Sequence, residues 1–165
     1  MITKKAKLSK VLKNIYFERN EPVSLVHFLT NRCNARCSFC FIDFDNPKTF
    51  ANELTIPEIE KLTKNLGNSL LNVNFTGGEP FMIRDHFKIL MYCVEKGYAK
   101  NIDIHYNTNG THLPPRDIFD LWKYFKRVEI AFSIDDVGEQ FEYQRYGANW
   151  KEVNHNVNQF KIYQL

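Results

Sequence analysis

The sequence lacks the features that mark membrane-spanning, secreted and disordered chains. Its longest uncharged apolar stretches fall well short of the ~20 residues that a membrane-spanning helix requires. No apolar core followed by small residues forms a secretory signal, and the 165 residues contain no repeat, low-complexity tract or Ser/Gly/Pro linker. Because 44% of the residues are hydrophobic, 15% aromatic and 25% charged, we expect one globular domain, located in the cytoplasm.

Acidic residues are missing from the start of the chain, where five lysines precede the first acid, Glu18. We interpret residues 1–21 as a basic arm and residues 22–165 as the folded domain. The net charge is only +3, and no basic face recurs later in the sequence. Nucleic acid is therefore not an expected partner.

Cysteine is scarce, but its placement is informative. Three of the four cysteines, Cys33, Cys37 and Cys40, fall within eight residues, and Cys93 stands apart at a helical position that predicts burial. In a cytosolic chain, such clustering indicates a metal or redox site rather than disulfides. Soft sulfur ligands suit both zinc and iron–sulfur centres.

The cysteines alone leave the kind of metal centre open. A structural zinc ion would need a fourth ligand, for which His27, Asp43 and Asp45 are the candidates. A four-iron cluster held by three cysteines would instead keep one iron open for a further ligand. Both interpretations remain at this point.

Strand and helix patterns alternate along the domain. Strands are predicted at 23–30, 70–76, 101–107 and 127–134 from β-branched and aromatic runs. Helices are predicted at 56–66, 84–96, from Pro114 onward, and at 149–163, and Trp122, Tyr124 and Phe125 are expected to pack with the third of them. Thr55 and Glu58 have the spacing of a capping box. Four strand–helix units predict an α/β fold with a parallel sheet.

The predicted strands alternate between apolar and polar residues, which is unusual for fully buried parallel strands. Leu71, Val73 and Phe75 alternate with Asn72 and Asn74. The later strands repeat this pattern and place two further polar residues, His105 and Glu129, on the polar face. Two structures fit: an open barrel with a polar cavity that His105 and Glu129 line, or a sheet with one face in solvent.

Polar, turn-forming residues follow every predicted strand. They comprise the cysteine segment, the run Gly77-Gly78-Glu79-Pro80, and the segments 107–110 and 133–136. The carboxyl ends of parallel strands share one rim, and ligands of α/β folds bind there. Paired glycines allow a ligand to approach bare backbone, and Pro80 fixes the exit of the chain.

These residues together resemble the radical S-adenosylmethionine (radical SAM) superfamily, over residues 22–163. The resemblance rests on Cys33, Cys37 and Cys40, with an aromatic residue, Phe39, before the third cysteine, followed by the Gly77–Pro80 run. The sequences TNG at 108–110, SIDD at 133–136 and RYG at 145–147 are similar to the branch of peptide-modifying and twitch-type proteins.

The resemblance implies a site and a chemistry. Cys33, Cys37 and Cys40 would hold a [4Fe-4S] cluster that binds S-adenosylmethionine (SAM) and cleaves it reductively to a 5′-deoxyadenosyl radical. The other implied cofactor-binding residues surround SAM. The backbone of Gly77, Gly78 and Glu79, next to Pro80, would bind the amino group of SAM, and Phe39 would lie near the adenine. Ser133 and Arg145 would bind the carboxylate or the ribose, and Asn107 and Asp135 would bind the ribose hydroxyls.

The family commonly has a partial (β/α) barrel of six units, and this sequence predicts about four. The resemblance therefore implies a truncated barrel: either the chain is a truncated or split gene product, or a partner chain closes the cavity. The isolated chain is expected to be poorly soluble or to self-associate. It also implies a low-potential electron donor resembling flavodoxin or ferredoxin. The substrate stays open among peptide, nucleoside and small metabolite. Alternatives are a fragment that binds cluster and SAM without turnover, and a non-catalytic zinc module.

Overall fold

Four parallel strands in chain order form the centre of the molecule. The structure, a computed structural model, describes residues 23–45 and 56–163. The strands are β1 (Val23–Phe28), β2 (Leu70–Thr76), β3 (Asp103–Thr108) and β4 (Arg127–Phe132), in the order β1-β2-β3-β4. The predicted α/β fold with a parallel sheet is confirmed. The predicted basic arm at 1–21, the Thr55 cap and the His27 side chain lie outside the described residues.

Helices follow each strand of the described chain. They are α1 (Ile56–Leu66), α2 (Phe87–Glu95), α3 (Arg116–Trp122), α4 (Gly138–Gln144) and α5 (Trp150–Ile162). Helix α2 begins later than predicted because Pro80–Met82 and Arg84–His86 form short 3-10 turns ahead of it. Helix α3 begins directly after Pro115, where the missing N–H of a proline does no harm. Helix α4 was not predicted from the sequence.

One face of the sheet carries the core. Phe75 of β2 and Tyr106 of β3 are completely buried, with ring centroids 4.9 Å apart. Trp122 at the end of α3 lies 5.6 Å from Tyr106 between ring centroids. Because alternate side chains of a strand point to one face, this aromatic cluster accounts for the apolar half of the predicted alternation.

Two predicted core positions are wrong. Leu71 is 39% exposed, because the β1–β2 register passes from Val23↔Leu70 to Ser24↔Asn72 and leaves Leu71 as the extra residue of a bulge. Tyr124 is 62% exposed, because it lies beyond the end of α3 in the turn before β4. Phe125, in the same turn, is buried as predicted.

The opposite face of the sheet is open and polar. Asn74, His105 and Glu129 lie in register across β2, β3 and β4. The Asn107 amide donates to Asn74 Oδ1 at 3.2 Å, and His105 Nδ1 lies 3.8 Å from Glu129 Oε1. Val26 and Phe28 of β1 add exposed apolar side chains. Among the described helices, none has the length and apolar character needed to cross a membrane.

Candidate functional site

The cysteine loop, residues 31–45, leaves β1 and is held by main-chain hydrogen bonds to distant parts of the chain. The Glu79 N–H donates to the Arg32 carbonyl at 2.9 Å, and the Arg36 N–H donates to the Tyr146 carbonyl at 2.7 Å. The Arg36 guanidinium donates to the Cys33 carbonyl at 2.6 Å. The loop is thus positioned from two sides, by the end of β2 and by the segment after α4.

The glycine turn, residues 77–80, lies directly against the cysteine loop. Gly77 has a φ of +84° and Gly78 a φ of +28°. A Cβ on Gly77 would lie 2.7 Å from the Thr30 carbonyl oxygen, and one on Gly78 would lie 2.0 Å from the Arg32 carbonyl oxygen. Only glycine permits this approach of two backbones. The two glycines are therefore required by the local packing of the backbone, in addition to the SAM binding that the resemblance implies.

Glu79 turns its side chain away from the turn and into the protein. Its Oε1 accepts hydrogen bonds from Thr108 Oγ1 at 2.7 Å and from the Phe81 N–H at 3.1 Å. Its Oε2 accepts from the Asn109 N–H at 2.8 Å. Burial raises the pKa of the Glu79 carboxyl, although these three hydrogen bonds lower it. The side chain ties the end of β2 to the end of β3.

Asn109 is a site residue that the sequence analysis did not single out. It follows β3 and is 5% exposed. Its Nδ2 lies 3.5 Å from Cys33 Sγ and 3.1 Å from Asn34 Oδ1, and it donates to both. The feature of the sequence that could have identified Asn109 is its position in the TNG run, which lies at the same rim as the cysteine loop.

Arg145 reaches the cysteine loop from the end of α4. Its Nε and Nη2 donate to Asp135 Oδ2 at 2.9 Å and 2.6 Å, and its Nη1 donates to Cys37 Sγ at 3.6 Å. The guanidinium carbon lies 5.4 Å from the centroid of the Phe39 ring. Arg145 is buried, so these contacts fix the orientation of a cation beside a cysteine sulfur.

A cavity of about 150 Å³ brings most of the predicted residues together. Eight of the twelve predicted metal- and cofactor-binding residues line the cavity: Cys33, Cys37, Cys40, Gly77, Gly78, Asn107, Ser133 and Arg145. Four do not: Phe39, Glu79, Pro80 and Asp135. The lining also includes six residues that were not predicted as ligand-binding, namely Ala35, Phe41, Ile42, Thr76, Thr108 and Asn109. The strand ends thus share one rim, as predicted.

Two thiols of the cavity have a pKa that burial raises, which favours their protonated form. Burial raises the pKa of Cys33, against hydrogen bonds from the backbone at Ala35 and from Asn109 that lower it. Burial also raises the pKa of Cys37, against the neighbouring charge and hydrogen bond of Arg145. Because thiolates are the metal ligands, binding a metal here displaces protons.

The arrangement of the thiols bears on the type of metal centre. The described residues contain no group of three or more His, Cys, Asp or Glu side chains that could hold a single metal ion. Asp43 and Asp45 are exposed, and Asp43 accepts from the Asp45 N–H at 3.2 Å. The three cysteines line one cavity, and the ligands of a polynuclear iron–sulfur cluster each bind a different iron atom.

Comparison with protein families decides the assignment. Residues 28–162 match the model of the radical SAM superfamily. The chain belongs to this superfamily. Curated relatives of this radical SAM protein include an S-adenosylmethionine-dependent nucleotide dehydratase of Selenomonas ruminantium, 30% identical over 111 residues. A GTP 3′,8-cyclase of Photorhabdus laumondii is 32% identical over 112 residues. These alignments cover 66% of this chain but only 38% and 32% of those relatives.

Solved structures of radical SAM proteins share the fold. Streptococcus suis SuiB, bound to the precursor peptide SuiA, aligns with a TM-score of 0.64 at 18% identity, covering 98% of this chain and 35% of SuiB. Native anSMEcpe with bound AdoMet aligns with a TM-score of 0.65 at 23% identity, covering 86% of this chain and 41% of that one. The chain therefore has the partial-barrel fold of this superfamily and spans about two fifths or less of these proteins.

Proposed function

We propose that Cys33, Cys37 and Cys40 hold a [4Fe-4S] cluster and that the protein uses it to cleave SAM reductively. The observation that carries this proposal is the cavity shared by the three cysteines and the glycine turn, with Ser133 and Arg145 on its wall. When bound, the cluster supplies the electron that splits SAM into methionine and a 5′-deoxyadenosyl radical, which takes a hydrogen atom from the substrate.

The side chains around the cavity would bind and orient SAM. Gly77 and Gly78 leave the backbone bare, so the amino group of SAM can hydrogen-bond to main-chain oxygens of the turn. Arg145 has its Nε and Nη2 committed to Asp135, and its remaining face can receive the carboxylate, with Ser133 beside it. Asn107 lies on the same wall, in reach of a ribose hydroxyl.

Three residues have supporting roles in this proposal. Phe39 is 59% exposed beside Arg145 and can cover an adenine ring that enters the cavity. Asp135 holds the Arg145 guanidinium through one carboxylate oxygen, which leaves the other oxygen for a ribose hydroxyl. Pro80 is buried at the first position of the 3-10 turn and fixes the direction of the chain leaving the glycine turn.

The open face of the sheet is the proposed substrate side. Asn74, Asn107 and His105 form a hydrogen-bonded polar surface next to the cavity, and Val26 and Phe28 form an apolar border. Such a mixed surface suits a peptide, which has both amide groups and apolar side chains. A peptide substrate is also supported by the shared fold with SuiB, whose structure contains a precursor peptide.

The proposal includes partners of two kinds. A flavodoxin-like or ferredoxin-like protein in the cytoplasm would supply the low-potential electron. A partner chain would complete the barrel at β4, whose Val128, Ile130 and Phe132 are only half-buried and line a groove with Phe160. Edge strands of natural proteins are usually covered, which supports this assembly.

The decisive experiment is anaerobic reconstitution of the 165-residue chain with iron and sulfide, followed by addition of dithionite and SAM. We expect four irons per chain and formation of 5′-deoxyadenosine. Cys37→Ala should abolish cluster retention, whereas Cys93→Ala should keep it, because Cys93 is buried in α2 away from the cavity. Zinc in place of iron, or full iron content in Cys37→Ala, would refute the proposal. Iron with SAM binding and no 5′-deoxyadenosine would identify a non-catalytic fragment.

A further inference from the structure

Asn109 makes a contact with a cysteine sulfur that the proposed function leaves unexplained. Its side chain is buried between the cysteine loop and the TNG turn, and its Nδ2 lies 3.5 Å from Cys33 Sγ. The SAM-binding roles proposed above do not include it.

The orientation of the Asn109 amide follows from its neighbours. The Thr111 main-chain N–H, which can only donate, lies 2.9 Å from Oδ1, and the Thr111 hydroxyl lies 2.6 Å from the same atom. Oδ1 must therefore face Thr111, which turns the NH₂ group toward Cys33 and Asn34. Asn34 Oδ1 accepts the second N–H at 3.1 Å. One N–H is thus left for the sulfur.

We propose that Asn109 is a positioning residue that raises the reduction potential of the cluster by donating a hydrogen bond to the sulfur of Cys33. This inference rests on the proposed function, because it requires a cluster at the three cysteines. Reduction adds negative charge to a cluster and its sulfur ligands, and an N–H dipole directed at a ligand stabilises the reduced form. The opposing influence is the buried carboxyl of Glu79, which accepts from the main chain of the same asparagine.

Arg145 supplies a comparison within the same site. It donates to Cys37 Sγ at 3.6 Å but also lies at the proposed SAM carboxylate. A substitution of Arg145 would therefore change SAM binding and the cluster together. Asn109 separates the two effects, because its side chain hydrogen-bonds to Cys33, Asn34 and Thr111 and has no proposed contact with SAM.

The test is a redox titration of the reconstituted chain without SAM, followed by electron paramagnetic resonance of the reduced cluster. Asn109→Leu removes the N–H donor at similar volume, and we expect a more negative midpoint potential. Thr111→Val is the matched control: it removes a hydroxyl from the same network and leaves Nδ2 in place, so the wild-type potential should persist. An unchanged potential in Asn109→Leu with full iron content would overturn the inference.

A second variant tests the inference if Asn109→Leu fails to retain the cluster. Asn109→Asp keeps Oδ1 for Thr111 and replaces the donor by a negatively charged oxygen, so the midpoint should fall further than in Asn109→Leu. Loss of the cluster in both variants, with retention in Thr111→Val, would overturn the inference in favour of a purely structural role. Absence of an iron–sulfur signal in the wild-type chain would instead refute the proposed function.

Discussion

Replacing Gly78 by alanine should separate the glycine turn from the cysteine loop. The new Cβ would lie 2.0 Å from the Arg32 carbonyl oxygen, and real Cβ contacts are essentially never below 3.0 Å, so the two backbones must move apart by about 1 Å. The Glu79 N–H donates to that same carbonyl at 2.9 Å, and such a movement breaks the bond. The substitution therefore disrupts the contact between the glycine turn and the cysteine loop.

The magnitude follows from two contributions. The positive φ of Gly78 costs an alanine ~1–2 kcal/mol. An unsatisfied hydrogen-bonding group costs a further ~1–3 kcal/mol when it is buried. Together they give a loss of about 2–5 kcal/mol, which is a large part of the ~5–15 kcal/mol that stabilises a typical domain. Gly97→Ala is the matched control, because Gly97 also has a positive φ but nothing lies within 4 Å of its Cβ position.

Urea denaturation and iron analysis after anaerobic reconstitution measure the two variants side by side. Gly97→Ala should lose only the ~1–2 kcal/mol of the backbone term and keep the wild-type iron content. Gly78→Ala should lose more stability and bind less iron. Equal losses in the two variants, with full iron in Gly78→Ala, would refute the steric argument.

Three further predictions concern single side chains. Cys93 is buried and its pKa is raised to about 11, whereas the three thiols of the cysteine loop are partly exposed. Iodoacetamide at pH 8 should therefore label the cysteine-loop thiols of the native apo chain faster than Cys93, and should label all four in the denatured chain. Mass spectrometry that finds Cys93 labelled as fast as the loop thiols in the native chain would contradict this. Burial raises the pKa of Glu79 above its ordinary 4.5, so the native state binds its proton more tightly than the unfolded state. The stability of the wild type relative to Glu79→Gln should therefore fall as pH rises through and above 4.5, which urea titrations at pH 5 and pH 8 would show; a constant difference contradicts it. Arg145→Lys keeps the charge but loses the forked pair with Asp135, so calorimetry should give ~10-fold weaker SAM binding, and unchanged affinity would count against the carboxylate role.

The sequence predicted those parts of the fold that depend on local patterns. Alternation at Val73, Phe75 and their neighbours indicated a sheet with one apolar face, and the structure buries both residues against helices. The meeting of the cysteine loop, Gly77 and Ser133 followed from their common position after parallel strands. Periodicity and chain order were sufficient for these inferences.

Other features depend on contacts between distant residues. The exposure of Leu71 results from a register shift against β1, which no pattern within β2 reveals. Helix α4 is short and polar with one buried apolar residue, Phe141, so its periodicity was too weak to predict. The role of Asn109 rests on partners 75 and 76 positions away, and an asparagine in a TNG run is equally typical of a plain turn.

The two-sided support of the cysteine loop has a consequence for assembly in the cell. Arg36 is bound to the Tyr146 carbonyl, and the Cβ position of Gly147 lies 2.8 Å from the Asn34 carbonyl oxygen. Ribosomes release these late residues long after Cys33, Cys37 and Cys40 have emerged. The cysteine loop therefore gains the second of its two supports only once the segment around residue 147 has been synthesised, so the nascent amino-terminal half carries the three cysteines without that support.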